Sequence, residues 1–125
     1  MIDATRPPPE GRQIVQRYGD GGFTVSGVVL RGPILILPDR TLPWTATRPD
    51  EVSAAGLAAL RSAEPAVELL IVGMGAAFVL VPPALRLELK GWGVAAEAMA
   101  TPAACRTYNV LATEGRRVAA ALIPV

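Results

Sequence analysis

The chain has 125 residues, of which 51% are hydrophobic and 18% charged, a composition typical of one globular domain. Twelve basic and eleven acidic residues leave a formal charge of +1, without the excess positive charge that nucleic-acid binding uses. Histidine is absent and Cys105 is the single cysteine. These two facts exclude His-dependent nucleophilic catalysis, His-ligated metal sites and an intrachain disulfide.

The N-terminal residues show no pattern of a targeting signal and no pattern of a strand or helix that would join the core. Residues 1–12 contain three consecutive prolines and predict an irregular lead-in, followed by one domain over residues 13–125. Neither a secretory signal nor a transit peptide is indicated at the start. The charge-free run 69–85 is too short for a membrane-spanning helix and is interrupted by glycines and prolines. We therefore expect a protein without a membrane span.

The first half of the chain predicts β-structure. Phe23 and Val25 alternate with polar residues, which predicts a strand over residues 23–30. The apolar run 34–37 predicts a second strand, and the intervening Arg-Gly-Pro turn indicates a β-hairpin. A short strand is expected at residues 42–44.

The second half alternates between helical and strand patterns. Apolar runs bounded by glycine or proline predict strands over residues 67–72, 94–99 and 118–123. Helices are predicted ahead of these strands, over residues 48–63, 82–91 and 101–114. A hairpin followed by three helix–strand units predicts an α/β fold, a three-layer domain with an appended β layer.

The start of the third helix is the strongest candidate for a site. Thr101 is predicted as its N-cap, with Pro102 as the first helical residue. Backbone N–H groups at a helix start attract anions, so Thr101, Arg106 and Asn109 are predicted ligand-binding residues. The ordinary alternative is a structural cap, with Arg106 and Asn109 tying loops together. The apolar face of this helix is expected to carry Ala103, Thr107, Val110 and Leu111.

The sequence Gly73-Met74-Gly75 is a second candidate, because it ends a predicted inner strand. Ligands of open α/β sheets commonly bind at such strand ends. The third glycine of a dinucleotide fingerprint is missing, since position 78 is Phe78, and the phosphate-loop motif is absent as well. If a crevice exists, Gly73 and Gly75 would line it together with Thr101. A tight turn or close backbone packing is the alternative use of these glycines.

Cys105 lies one turn into the third helix beside Arg106, whose charge would lower the pKa of an exposed thiol. Neither a histidine nor a second cysteine is present to act with it. We expect a small buried residue rather than a nucleophile.

Two long runs carry a family resemblance. Residues 99–111, MATPAACRTYNVL, and 114–122, EGRRVAAAL, resemble mitochondrial respiratory complex I assembly factor 3 and its bacterial and archaeal relatives. The resemblance extends over nearly the whole chain. Its N-terminal part is carried by residues 18–19, Phe23, residues 25–27 and residues 38–44, and its middle by Gly73-Met74-Gly75 and residues 91–94. Met74 is a departure, since the family commonly has threonine there. A hydroxyl that could contact a ligand is therefore missing.

The resemblance implies a three-layer α/β/α sandwich. Its mixed central sheet would include the N-terminal strands, with the last strand antiparallel to its neighbours. It also implies a non-enzymatic protein-interaction domain that binds a membrane or respiratory-complex protein during assembly of that complex, without cofactor or metal. With no transit peptide, we expect a bacterial, cytoplasmic protein peripheral to the inner membrane.

Two other functions stay open. The first is a binder of, or enzyme for, a small anionic ligand in a crevice between Gly73–Gly75 and Thr101–Arg106. The second is a structural homo-oligomer. The absence of excess positive charge argues against nucleic acid as the partner, and it does not distinguish among the other functions.

Overall fold

The computed structural model describes residues 12–125, so all but the last residue of the predicted lead-in lies outside it. The described part contains eight strands, two α-helices and two 3₁₀ helices. The strands are β1 (Val15–Gly19), β2 (Gly22–Val25), β3 (Val28–Arg31), β4 (Ile34–Ile36), β5 (Thr41–Pro43), β6 (Leu69–Gly73), β7 (Ala95–Met99) and β8 (Val118–Leu122). The α-helices are α1 (Pro83–Gly91) and α2 (Thr101–Thr113), and the 3₁₀ helices are Pro49–Glu51 and Ala55–Ser62.

The first three strands form a small antiparallel sheet in the order β1-β2-β3. Ser26 and Gly27 connect β2 to β3, and both have positive φ, at 46° and 87°. Positive φ at both central residues is the geometry of the two-residue turn that suits a twisted hairpin. Phe23 and Val25 of β2 are buried, so one face of this sheet belongs to the core.

The other five strands form a mixed sheet in the order β5-β4-β8-β6-β7. β6 is parallel to both β7 and β8, whereas β4 is antiparallel to both β5 and β8. The sequence of β6, LLIVG, is entirely uncharged and apolar, as expected of an inner strand covered on both faces. Gly73 at its end is aligned with Met99 and Leu122, so the ends of three parallel strands lie side by side.

Each face of the five-stranded sheet has its own hydrophobic cluster. On one face, Leu70 and Val72 pack with Leu57 of the second 3₁₀ helix and Leu89 of α1. On the opposite face, the second cluster contains Ile34, Ile36, Ile71, Phe23 of the small sheet and Tyr108 of α2. The predicted α/β fold with three layers, a mixed central sheet and an appended β layer is confirmed.

The predicted hairpin is wrong in its pairing. Residues 23–30 are two strands separated by the turn at Ser26-Gly27, and β4 lies in the other sheet. β1 was not predicted, because only Val15 of its five residues is buried and no alternating pattern results.

Two further expectations are corrected. The region 48–63 forms two short 3₁₀ helices rather than one helix, and Gly56 lies in the second of them, where a Cβ would lie 3.3 Å from the Trp44 indole nitrogen. Glycine weakens a continuous helix at such a point. The last strand, β8, is antiparallel to β4 only, because it runs parallel to β6.

Candidate functional site

Thr101 forms a hydrogen-bonded network at the ends of β6 and β8. Its hydroxyl accepts a hydrogen bond from the backbone N–H of Gly75 at 2.9 Å and donates one to the carbonyl of Ile123 at 2.6 Å. Its own backbone N–H donates to the carbonyl of Gly75 at 2.8 Å, and the N–H of Ile123 donates to the carbonyl of Gly73 at 2.9 Å. We call these four residues, Gly73, Gly75, Thr101 and Ile123, the Thr101 network. The network joins the loop after β6 to α2 and to the C-terminal end of β8.

The two glycines of the network are each required by the local structure, for different reasons. A Cβ on Gly73 would lie 2.9 Å from Thr101 Oγ1 and 2.9 Å from a Leu122 methyl group, closer than real Cβ contacts. Gly75 has a φ of 93°, which side-chain-bearing residues rarely adopt. Close packing and a special turn thus account for both positions.

Thr101 is not the N-cap that the sequence predicted. Ala100 occupies the N-cap position and Thr101 is the first residue of α2. The hydroxyl of Thr101 serves Gly75 and Ile123 instead of the first turn of its own helix. Its side chain is buried, with both hydrogen-bonding capacities used inside the protein.

The other two predicted ligand-binding residues of α2 lie elsewhere. Asn109 is buried. It lies about 12 Å beyond Thr101 along α2, at a rise of 1.5 Å per residue. Its amide accepts from the N–H of Val15 at 2.9 Å and donates to the carbonyl of Val15 at 2.7 Å, which holds β1 against α2. Arg106 is exposed. The structure therefore brings together Gly73, Gly75 and Thr101, and does not bring Asn109 to them.

The buried face of α2 differs from the predicted one. Val110 is exposed, and the residues that α2 buries are Thr101, Ala104, Cys105, Tyr108, Asn109, Ala112 and Thr113. Polar members of this face are buried because each of Thr101, Tyr108 and Asn109 has a hydrogen-bond partner. Burial raises the pKa of the Cys105 thiol to about 12, and the nearby Arg106 charge offsets only part of this shift. Cys105 is thus a buried structural residue, as expected.

Two surface cavities lie away from the Thr101 network. One, of about 450 Å³, is on the small sheet and includes Arg17 and Arg31, while the other, of about 430 Å³, includes Arg86 and Lys90 beside β7. None of the five predicted site residues lines either cavity. Within residues 12–125 no group of three or more Cys, Asp or Glu side chains could hold a metal ion. No helix in that range is long and apolar enough to cross a bilayer.

The loop between β6 and α1 is the feature that sequence reasoning missed. Residues 76–81 form an apolar loop, in which Ala76, Ala77, Phe78, Val79 and Leu80 are exposed and Val81 is buried. The sequence predicts a strand over residues 67–72 and a helix over residues 82–91, and it makes no prediction for the residues between the Gly73-Met74-Gly75 turn and that helix. The signal was present, because two glycines precede this run and two prolines follow it, and such residues seldom occur inside a strand or helix.

The architecture matches known structures of one class of mixed α/β domain. The solution structure of a Bordetella pertussis protein, described as a Mth938-like domain, superposes with a TM-score of 0.81 and 34% sequence identity. That match covers 98% of this chain and 92% of the other. The chain thus has the Mth938-like fold.

Residues 15–123 match the family model described as a protein of unknown function (DUF498/DUF598), and the chain belongs to that family. An uncharacterized protein of Rhodobacter capsulatus is 46% identical over 111 residues, which cover 89% of this chain and 84% of that protein. The zebrafish protein named NADH dehydrogenase [ubiquinone] 1 alpha subcomplex assembly factor 3 is 36% identical over 111 residues, 89% of this chain. The chain spans 64% of the length of that zebrafish relative. The family resemblance found in the sequence is confirmed.

Proposed function

We propose that the protein is a non-enzymatic interaction domain that assists the assembly of a respiratory membrane complex. Its partner is another protein, a component of that complex or of the membrane that holds it. The observation that carries the proposal is the 36% identity, over 111 residues, to a protein named as an assembly factor for NADH dehydrogenase. Chains this similar share a fold. An assembly factor acts by binding other proteins, so the part of the fold that matters for this function is its binding surface.

The apolar loop supports protein binding. Phe78, Val79 and Leu80 are exposed, consecutive along one loop and uninterrupted by charge. Large apolar side chains grouped on a surface are typical of interaction sites, whereas singly scattered ones carry no such meaning. Aromatic side chains are also enriched where proteins bind one another.

The side-chain chemistry supports a role without catalysis. The chain has no histidine, and its single thiol is buried with a pKa of about 12, so the thiolate that attacks substrates does not form near neutral pH. The hydroxyl of Thr101 is hydrogen-bonded on both sides within the protein. A net charge of +1 supports a protein rather than a nucleic acid as the partner.

The proposal includes a location. A bacterial chain of this kind would act in the cytoplasm and peripherally at the inner membrane, where the respiratory complex is assembled.

A structural homo-oligomer is the other function that the sequence left open besides anion binding. Sedimentation of the purified protein measures self-association directly.

Co-purification from membranes, combined with activity assays, tests the proposal. The tagged protein is expressed in the organism that encodes it, and detergent-solubilised membranes are probed for named subunits of NADH dehydrogenase. We expect those subunits to co-purify, and we expect the purified protein to turn over no small metabolite. Robust turnover of a metabolite, lost on substitution of one polar side chain, would contradict a non-enzymatic function.

Binding of a small anion remains a second candidate only as a prediction of the sequence. Its proposed residues are Gly73, Gly75, Thr101, Arg106 and Asn109, and Arg106 is the exposed cation among them. A bound ligand at 100 times its Kd would stabilise the fold by about 2.7 kcal/mol. Thermal unfolding with phosphate, nucleotides or carboxylates, in the wild type and Arg106→Ala, decides the point. A shift that disappears in Arg106→Ala would favour this candidate.

A further inference from the structure

We propose that the apolar loop is a docking edge, along which an extended, uncharged segment of a partner protein adds as a β-strand to residues 78–81. This inference rests on the proposed function, since it names the surface and the chemistry of the partner. In strand addition, main-chain hydrogen bonds supply affinity and alternate side chains supply specificity. Both requirements can be examined in this loop.

The side chains of the loop alternate in exposure. Phe78 is 62% exposed, Val79 39%, Leu80 66% and Val81 3%. A period of two is the pattern of an extended segment with one face outward and the other inward. Phe78 and Leu80 are therefore the most outward side chains of the loop, Val79 between them is less exposed, and Val81 is buried in the protein.

The backbone of the loop has hydrogen-bonding capacity to offer. Within residues 12–125, the N–H and C=O groups of residues 76–81 form no hydrogen bond with another backbone group or with a side chain. An extended run of such groups is a template for pairing with another strand.

Both ends of the loop are held in place. At the start, Gly75 is bonded to Thr101 through two hydrogen bonds. At the end, Val81 is buried in the hydrophobic cluster that also contains Leu85 and Leu89 of α1. A segment fixed at both ends loses less conformational freedom when a partner binds, which favours affinity. The Thr101 network thus acquires a role in presenting the loop.

The chemistry of the loop favours a protein strand over a lipid surface. Burial of unsatisfied backbone N–H and C=O groups in hydrocarbon is strongly unfavourable, whereas a partner strand satisfies them. The run from Leu69 to Leu85 carries no lysine or arginine to attract anionic headgroups. The absence of charge of either sign also matches an uncharged partner segment.

The chain's own N-terminal residues are a poor match for this edge. Residues 1–11 contain three consecutive prolines, which have no N–H to donate to a strand pair. They also contain Asp3, Arg6 and Glu10, whose charges would lie against an apolar face. The partner is therefore sought in another polypeptide.

A model peptide tests the proposal on the purified full chain. The probe is the uncharged peptide acetyl-Ser-Thr-Val-Thr-Val-Thr-Ser-amide, added to ¹⁵N-labelled protein, and its control is the same peptide N-methylated at every residue. We expect the amide signals of residues 78–81 to shift and alternate amides among them to exchange more slowly. Loss of even one main-chain hydrogen bond is worth roughly tenfold in affinity, so the methylated peptide should bind at least about tenfold more weakly.

Matched substitutions localise the effect. Leu80→Ser should weaken binding of the unmethylated peptide several-fold. Val29→Ser should leave binding unchanged, because Val29 is 69% exposed but lies on the small sheet. Deletion of residues 1–11 should also leave it unchanged.

Four outcomes would overturn the proposal. The unmethylated peptide could fail to bind at millimolar concentration, or both peptides could bind equally. The signals of residues 78–81 could instead respond to phosphatidylcholine–phosphatidylglycerol vesicles. Finally, those signals could shift with protein concentration, which would show that a second copy of the chain occupies the edge. Each leaves the proposed function standing, because subunit co-purification is measured separately. Conversely, absence of NADH dehydrogenase subunits from the purified tagged protein would contradict the proposed function without affecting the peptide result.

Discussion

Gly75 and Thr101 exchange two hydrogen bonds across the end of the five-stranded sheet. The N–H of Gly75 donates to the hydroxyl of Thr101 at 2.9 Å, and the N–H of Thr101 donates to the carbonyl of Gly75 at 2.8 Å. The same hydroxyl donates to the carbonyl of Ile123, so one side chain connects α2, β8 and the base of the apolar loop. The residues in which the sequence predicted a ligand crevice are thereby joined to one another.

Replacement of Thr101 tests the importance of this hydroxyl. Thr101→Val keeps the shape but removes the partner of two backbone groups, so we expect a loss of about 1–3 kcal/mol in the free energy of unfolding. Thr101→Ser retains the hydroxyl and should lose about 1 kcal/mol through the missing methyl group. Urea unfolding measures both variants. Equal stability of Thr101→Val and the wild type would show that the hydrogen bonds contribute little.

Gly73 should not tolerate a methyl group. The added Cβ of Gly73→Ala would lie 2.9 Å from both Thr101 Oγ1 and Leu122 Cδ2, and such overpacking destabilises by about 1–3 kcal/mol. Gly91→Ala is the matched control, because nothing lies within 4 Å of its Cβ at the end of α1. That control should gain about 0.4–1 kcal/mol by reducing the entropy of the unfolded chain. Thermal unfolding compares the two, and a tolerated Gly73→Ala would contradict the close packing.

Asn109 is predicted to be a structural residue. Asn109→Leu leaves the buried N–H and carbonyl of Val15 without their amide partner, which should lower the unfolding free energy by about 1–3 kcal/mol. Amide exchange in β1 should accelerate as well, because the amide holds that strand to α2. Arg106→Ala on the exposed side of the same helix should change stability by less than about 0.5 kcal/mol. Unfolding and exchange measurements on both variants test the distinction.

The buried groups of α2 predict a loss of stability at alkaline pH. The pKa of Cys105 rises on burial from 9.0 to about 12, and burial also raises the pKa of Tyr108. A raised pKa means that the stabilisation from the neutral thiol is complete below pH 9 and is lost as pH rises towards 12. Unfolding free energy should therefore fall above pH 9, by up to about 1.4 kcal/mol per pH unit for Cys105, and Tyr108 adds a loss of the same sign above pH 10.

Two measurements check this behaviour. Cys105→Ala should show a shallower fall in stability between pH 9 and pH 11 than the wild type. The native thiol should also resist alkylation by iodoacetamide at pH 8 and react fully in urea. Rapid alkylation of the folded protein would contradict the burial of Cys105.

Much of the fold could be predicted because, in the second half of the chain, the apolar runs and the glycines and prolines that bound them indicate the same elements. Pro83 at the start of α1, the glycines after it and the apolar run of β6 each restrict the local structure to one choice. The first half gave errors where a local rule was insufficient. The Ser26-Gly27 turn divides an apolar stretch that reads as one strand, and the assignment of β4 to the other sheet depends on pairing with β8, nearly ninety residues later.

The site could be predicted only in part, for a related reason. The sequence singled out Gly73, Gly75 and Thr101, which the fold does bring together. It could not show that the Thr101 hydroxyl is used by Gly75 and Ile123, because hydrogen-bond partners distant in sequence follow from the packing of α2. Exposure of Phe78 and Leu80 was hidden for the same reason, since an apolar run predicts burial unless the neighbours that would cover it are known.

Deletion of the gene in the organism that encodes the chain tests the central claim most directly. The quantity to measure is the amount of fully assembled NADH dehydrogenase in membranes, resolved by native electrophoresis and stained for NADH oxidation. A role in assembly predicts that the assembled complex decreases, with partly assembled subunits accumulating, and that the wild-type chain restores it. An unchanged amount of assembled complex in the deletion strain would contradict the account.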